Sequence, residues 1–197
     1  MKRARDQYYF DALNKCALLC QKAAACLQGA FDAPAALGEH MAGMLATCRE
    51  AAAAEGAIAE RLHREFLAPV EPEDLMALSH ALGNVVNCIG AAMRCAFVHR
   101  VSPLGEGASL GPLLVRCTHA LAQAVAALPG FRKPRAIRAA VAEVKRLAYE
   151  ADVLCLRAMG QAPAVSPGLC LYSALGRAFA ACGEAGYVLE VLIIKNN

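Results

Sequence analysis

Residues 66–90 read FLAPVEPEDLMALSHALGNVVNCIG, a break followed by a long helix. Pro69 and Pro72 interrupt the preceding helical pattern, and Pro72 suits the first turn of a new helix, where its missing N–H costs nothing. Glu73 and Asp74 then place negative charge at the positive end of the helix dipole. From there Leu75, Leu78, Leu82, Val85, Ile89 and Met93 recur at three-four spacing and form one apolar face. A second stripe runs beside it: Gly83, Asn87, Gly90 and Arg94. A glycine inside a helix costs about 1 kcal/mol relative to alanine, so two of them one above the other need a reason.

The same helical grammar extends outward in both directions. The chain has 197 residues, is 58% hydrophobic and contains no Trp. It lacks the Val/Ile/Thr/Tyr runs that favour strands, so an all-α fold is expected. The first helix is predicted from about Asp6 to Leu27, with Gly29 as its stop and Tyr9, Leu13, Ala17 and Cys20 facing inward. Asp32 is the expected N-cap of a second helix, with Pro34 just inside it, running to about Leu67. The third ends near Arg100. Ser109 is expected to cap a fourth, which stops at Pro129 and Gly130. Pro134 opens a fifth, to about Met159, with Gly160 beyond it, and Ser166 with Pro167 opens a sixth.

This layout divides into two runs of three helices, about 5–100 and about 109–197, in one domain spanning 1–197. The Pro- and Gly-bearing segment 101–108 is the predicted hinge. A faint internal repeat agrees: Ala81-Leu82-Gly83 and Gly90 recur as Ala174-Leu175-Gly176 and Gly183, with the same internal spacing.

Charge and motifs exclude several functions. A net charge of +3 leaves no electrostatic footprint for nucleic acid. The opening MKRARDQYYF lacks the apolar core of a secretory signal, so the ten cysteines are expected to be reduced, most of them as small core residues (Cys16, Cys20, Cys26, Cys88, Cys95, Cys155). Cys16 and Cys20, four apart, could share a soft metal, but no Cys-x-x-Cys motif supports them. Polar Ser79, His80, Asn84 and Asn87 argue against a membrane span over 75–93. Glu60 and His63 form a single Glu-x-x-His, a spacing that di-metal bundles use in pairs. The five histidines, at 40, 63, 80, 99 and 119, are scattered singly. No phosphate-binding glycine loop or nucleophile motif is present, so an enzyme is not expected.

Several stretches together resemble the PhoU-like family of phosphate-transport regulators, in particular its branch of Pit-transporter accessory proteins. They are the opening MKRARDQYYFDALNK, the junction FLAPVEPEDLMALSHALGNVVNCI, the helix YEADVLCLRAM and the closing LYSALGRAFAACGEAGYVLEVLIIKNN. The resemblance implies a bundle of six long helices built from two three-helix repeats. It also implies a cytoplasmic regulator or accessory of inorganic phosphate transport, in contact with a transporter or its sensor. In such proteins each half carries paired carboxylates four residues apart, one turn of helix, able to hold metal through oxygen ligands. At the matching positions this chain has Cys48 and Ala52, Gly83 and Asn87, Ala148 and Asp152, and Gly176 and Ala180, with Gly90 and Gly183 following on the third and sixth helices. Asp152 is the one acid among the eight paired positions, although Glu50 and Glu55 lie near the first pair. The expectation is therefore a regulator that has lost its metal sites, with Asp152 a weak candidate ligand and small residues letting helices close up. No cofactor is expected. A thiol-held transition metal, or a helical oligomerisation module with an unrelated partner, are the alternatives. Arg132, Lys133, Arg135 and Arg138 form a basic cluster suited to a membrane surface or an acidic partner, and a homo-oligomer is allowed.

Overall fold

The computed structural model describes residues 2–64, 69–163 and 166–196, with side chains from Asp6 onward. Six α-helices make up the described residues, together with three short 3-10 turns and no strand: α1 (Lys2–Asp32), α2 (Leu37–Arg64), α3 (Pro72–His99), α4 (Leu110–Ala126), α5 (Arg135–Gln161) and α6 (Pro167–Lys195). The all-helical bundle expected from composition is what the chain forms.

α3 is the central helix. All six residues of its apolar stripe are fully buried, and its most extensive packing is against α6. The two run antiparallel: Lys195 near the end of α6 meets Asp74 at the start of α3, while Cys170 at the start of α6 meets Cys95 and His99 at the end of α3. α1 pairs with α4 in the same sense, Gln21 meeting His119 and Gln28 meeting Gly111. α2 lies over α1 and α3, and α5 lies over α4 and α6, so the two triples make corresponding contacts. By length and composition α3 could cross a membrane, but 61% of its most apolar window is buried inside the bundle. Its apolarity is used as a core stripe.

Local signals were read with mixed outcome. Tyr9, Leu13, Ala17 and Cys20 are all buried on one face of α1, and Cys20 also donates its thiol hydrogen to the Leu82 carbonyl at 3.3 Å, across to α3. Gly29 does not stop α1. The helix continues to Asp32, and a β-carbon at Gly29 would fall 2.5 Å from His40 Cε1, so the glycine admits the His40 ring of α2. Asp32 is no N-cap; its carboxylate accepts from Gln28 Nε2 at 2.7 Å, and a 3-10 turn (Pro34–Ala36) leads into α2. Ser109 sits in helical conformation at the end of a second 3-10 turn, without a capping bond. Gly160 lies inside α5. Pro72 and Pro167 each occupy the first turn of a helix, as expected, and Arg100 terminates α3 in the left-handed region (φ 51°), a position more often given to glycine. The segment 101–108 packs down on α6: the Leu104 N–H donates to the Tyr172 hydroxyl at 3.2 Å, and buried Gly107 leaves room for that ring. The expected end of the second helix near Leu67, the 65–68 part of the following turn, residues 164–165 of the next loop and Asn197 of the closing tail lie outside the described residues.

At the far end of the α3–α6 seam, the Asp74 carboxylate is buried and accepts from Lys195 Nζ at 2.9 Å and Asn196 Nδ2 at 3.1 Å. The hydrogen bond to Asp74 raises the Lys195 pKa above its ordinary 10.5. A raised folded pKa stabilises the fold fully below the unfolded value, and that contribution fades as pH climbs through the folded one. The gap in urea midpoint between the wild type and Lys195→Met should therefore hold steady up to about pH 10 and shrink above it. In the core, Leu82→Ala should lower the unfolding free energy by about 2–5 kcal/mol. Leu156→Ala, on an exposed α5 position, should stay within about 0.5 kcal/mol in the same urea titration.

Candidate functional site

The positions singled out for metal fall on two helix faces. On the α2–α3 face, Cys48 lies opposite Gly90 and Glu55 opposite Gly83. On the α5–α6 face, Ala148 lies opposite Gly183 and Cys155 opposite Gly176. Ala52 and Asn87 are exposed on the first face, as are Asp152 and Ala180 on the second. The helices thus bring Cys48 to Gly90 and Ala148 to Gly183, while Gly83 and Gly176 meet Glu55 and Cys155 instead of the expected Cys48/Ala52 and Ala148/Asp152.

Their chemistry is not that of a hard-cation site. A β-carbon at Gly90 would lie 3.0 Å from Cys48 Sγ and 3.4 Å from an Arg94 guanidinium nitrogen, so a thiol and a positive charge share that slot. Burial raises the Cys48 pKa, and Arg94 acts in the opposite direction. Glu55 is the carboxylate on this face: its Oε2 covers Gly83 and its Oε1 is 2.9 Å from His80 Nδ1. Glu50 turns instead to Lys22 of α1, at 2.9 Å. On the second face Asp152 is exposed beside Cys155. Glu55 faces His80, and on the α5–α6 side Glu190 binds Lys145 while Asp152 lies exposed; among the described residues neither face gathers the several oxygen ligands that a calcium-like or iron-like ion takes.

The glycines themselves divide. Gly83 and Gly90 admit close neighbours, as expected from small residues that let helices approach. Gly176 and Gly183 do not: a β-carbon at either would make ordinary contacts at 4.0 Å, with Cys155 Sγ and Ala148 Cβ. The expectation that the whole stripe serves close packing is corrected for α6, and nothing in the structure explains the glycines there.

The remaining candidates resolve one by one. Glu60 binds Arg64 and His63 Nδ1 donates to the Ala59 carbonyl at 2.8 Å, so the Glu-x-x-His pair is taken up within its own exposed helix end. Cys16, Cys20, Cys95 and Cys155 are buried, whereas Cys26 and Cys88 are only partly so. Burial pushes the Cys16 and Cys155 thiols up to about 11, which leaves them protonated and poor nucleophiles at neutral pH. Arg132, Lys133, Arg135 and Arg138 are all exposed, and the first two border a cleft of about 400 Å³ with Phe10 and Phe131.

One cluster escaped the sequence reading. Cys95 and His99 occupy the last turn of α3, and Cys170 lies in the first turn of α6; one donor atom from each lies within 4.8 Å of the others. Among the described residues it is the group of three His, Cys, Asp or Glu side chains whose donor atoms converge. The signal available was Cys95-x-x-x-His99, one helical turn; the third member arrives through the α3–α6 pairing, which no spacing reveals. Burial, reinforced by the Cys170 thiol, pushes Cys95 up to about 12, and Arg177 opposes the shift.

No protein-family model matches the chain, and no curated protein matches it significantly. Solved structures do. A PhoU-like protein from Shewanella oneidensis MR-1 superposes with a TM-score of 0.77 at 15% identity, over 95% of this chain and 99% of that one. A putative PhoU-like phosphate regulatory protein from the same organism gives 0.73 at 15% identity, with the same coverage. The chain therefore has the PhoU-like fold, an all-α bundle followed over nearly its whole length.

Gly176→Ala and Gly183→Ala should each raise stability by roughly 0.5–1 kcal/mol, since the helix gains a better former without a clash. Gly90→Ala, which drives a methyl against Cys48 Sγ, should be less stable than either. Urea titrations of the three variants check the order.

Proposed function

We propose that the protein is a non-enzymatic accessory or regulator of inorganic phosphate transport. It acts in the cytoplasm by contact with a transporter of the Pit type or with its sensor, and it does so without the carboxylate-held metal of its family. The observation that carries this reading is the fold, shared over 95% of the chain with two PhoU-like proteins, one of them titled a putative phosphate regulatory protein. The two helix faces support the metal-free part: Glu55 is paired with His80, Glu190 with Lys145, and Arg94 stands in the slot beside Gly90. The protonated, buried thiols of Cys16 and Cys155, and His119 and His80 paired with Gln21 and Glu55, support the non-enzymatic part.

The corresponding contacts of the two triples favour descent from a doubled three-helix unit within one domain. We assign the exposed basic cluster Arg132, Lys133, Arg135 and Arg138 to the side that faces an acidic partner or the membrane beside it.

The test is genetic and physical. Deleting the gene should alter radiolabelled phosphate uptake by whole cells, and crosslinking should recover the protein with a phosphate permease. Replacing the four basic residues together by glutamate should weaken that recovery several-fold, whereas Asp152→Asn should complement the deletion fully. Unchanged uptake, together with a crosslinked complex that contains no permease, would rule the reading out.

A further inference from the structure

We propose that Cys95, His99 and Cys170 form a zinc site that ties the end of α3 to the start of α6. The inference rests on this geometry alone and is independent of the phosphate reading; its residues lie apart from both helix faces described above.

The donor set suits the ion. Zinc takes thiolate sulfur at about 2.3 Å and imidazole nitrogen at about 2.0–2.1 Å, which puts neighbouring ligand atoms of a tetrahedral site roughly 3.5–3.8 Å apart. The three donors already lie within 4.8 Å of one another, so about 1 Å of side-chain movement closes the site. The movement is available where it is needed: Cys170 and His99 are exposed, whereas Cys95 is buried and fixes the base of the site. Cys95 and His99 are four residues apart and share a helix face one turn long. α3 ends at His99 with Arg100 in the left-handed region, so no further turn of helix crowds the imidazole.

Charge agrees. On binding, each thiol releases its proton, and the two thiolates cancel the charge of the divalent ion. The neutral product can therefore sit near Arg177, whose positive charge reaches Cys95. Soft sulfur ligands select zinc over magnesium or calcium. Three protein ligands leave the fourth tetrahedral position to water or to a donor from a bound partner.

The site has a mechanical meaning. The α3–α6 seam is held at one end by Asp74, Lys195 and Asn196. Cys95, His99 and Cys170 stand at the other end, and zinc there would cross-link the two halves of the bundle.

The experiment uses the full chain, reduced, stripped with a chelator and kept anaerobic. Zinc is titrated against a chromophoric competitor, and cobalt is then substituted as a spectroscopic probe. The wild type is expected to take up zinc, with cobalt showing thiolate charge-transfer absorption and the strong visible bands of a tetrahedral ion. Saturating zinc should raise its Tm by roughly 5 °C. His99→Ala and Cys170→Ser alter exposed side chains and should keep the circular dichroism of the wild type. Each should weaken zinc binding at least about tenfold and lose the zinc-dependent Tm shift. Cys88→Ser, outside the cluster, should change none of these. The proposal is overturned if the reduced wild type takes up no zinc. It is equally overturned if both cluster variants bind zinc as the wild type does, which would place the ion on other thiols. Recovery of Cys95 and Cys170 as a disulfide that takes up no zinc after reduction would replace the metal site with a redox pair.

Discussion

The antiparallel seam between α3 and α6 is the contact on which the bundle depends. Each helix contributes an apolar stripe at three-four spacing, and the two stripes meet along almost their full length. Leu75, Leu78, Leu82, Val85, Ile89 and Met93 lose all contact with solvent, as do Leu171, Leu175, Phe179, Cys182 and Leu189 on the partner helix to within a percent. Burial at about 25 cal/mol per Å² makes this seam, the most extensive helix pairing, a large contributor to stability, and it leaves the outer faces of both helices to serve α2 and α5. The exposed ends of the seam are polar. A buried carboxylate needs a partner that stays charged, which Lys195 supplies, while the neutral Asn196 amide fills a second acceptor site.

The outer faces show how one sequence feature can have two physical origins. On α3 Cys48 presses on Gly90, whereas only the mobile tip of the Glu55 side chain lies over Gly83. On α6 the equivalent glycines have room for a methyl group. Packing therefore accounts for Gly90 and leaves the α6 pair unexplained. A glycine stripe read as close helix approach is a sound inference only where the facing side chain is known, and that side chain belongs to another helix.

What was legible in the sequence was periodic or punctuated. The stripe of α3, the inner face of α1 and the proline starts at Pro72 and Pro167 follow from local rules that act within one or two turns. What failed were single-residue signals whose meaning depends on a distant partner. Gly29 has the look of a helix stop, yet His40 from α2 fills the space it leaves, and the backbone stays helical beyond it. Asp32 and Ser109 are good capping residue types, but Asp32 is engaged by Gln28 and Ser109 is already helical. The candidate faces were legible as positions, because Cys48 and Gly90, or Ala148 and Gly183, do meet. Cys95, His99 and Cys170 were not. Two of them are four apart, but the third is delivered by the α3–α6 register alone.

The scarcity of carboxylates at these positions removes a constraint. A cluster of acids on facing helices is self-repelling unless a cation neutralises it, so a bundle carrying one depends on its metal for part of its stability. Here those positions hold Cys, Ala, Gly, Asn and a single acid, Asp152, which lies open to solvent; of the nearby acids, Glu55 is matched by His80 and Glu50 by Lys22. The faces can therefore close without an ion, and the apolar seam beneath them suffices to hold the triples together. Polar and titratable pressure then concentrates at the two ends of that seam. At one end an acid is met by a lysine; at the other two thiols and an imidazole converge. The first arrangement is complete within the chain, and the second is the one we assign to a thiophilic cation.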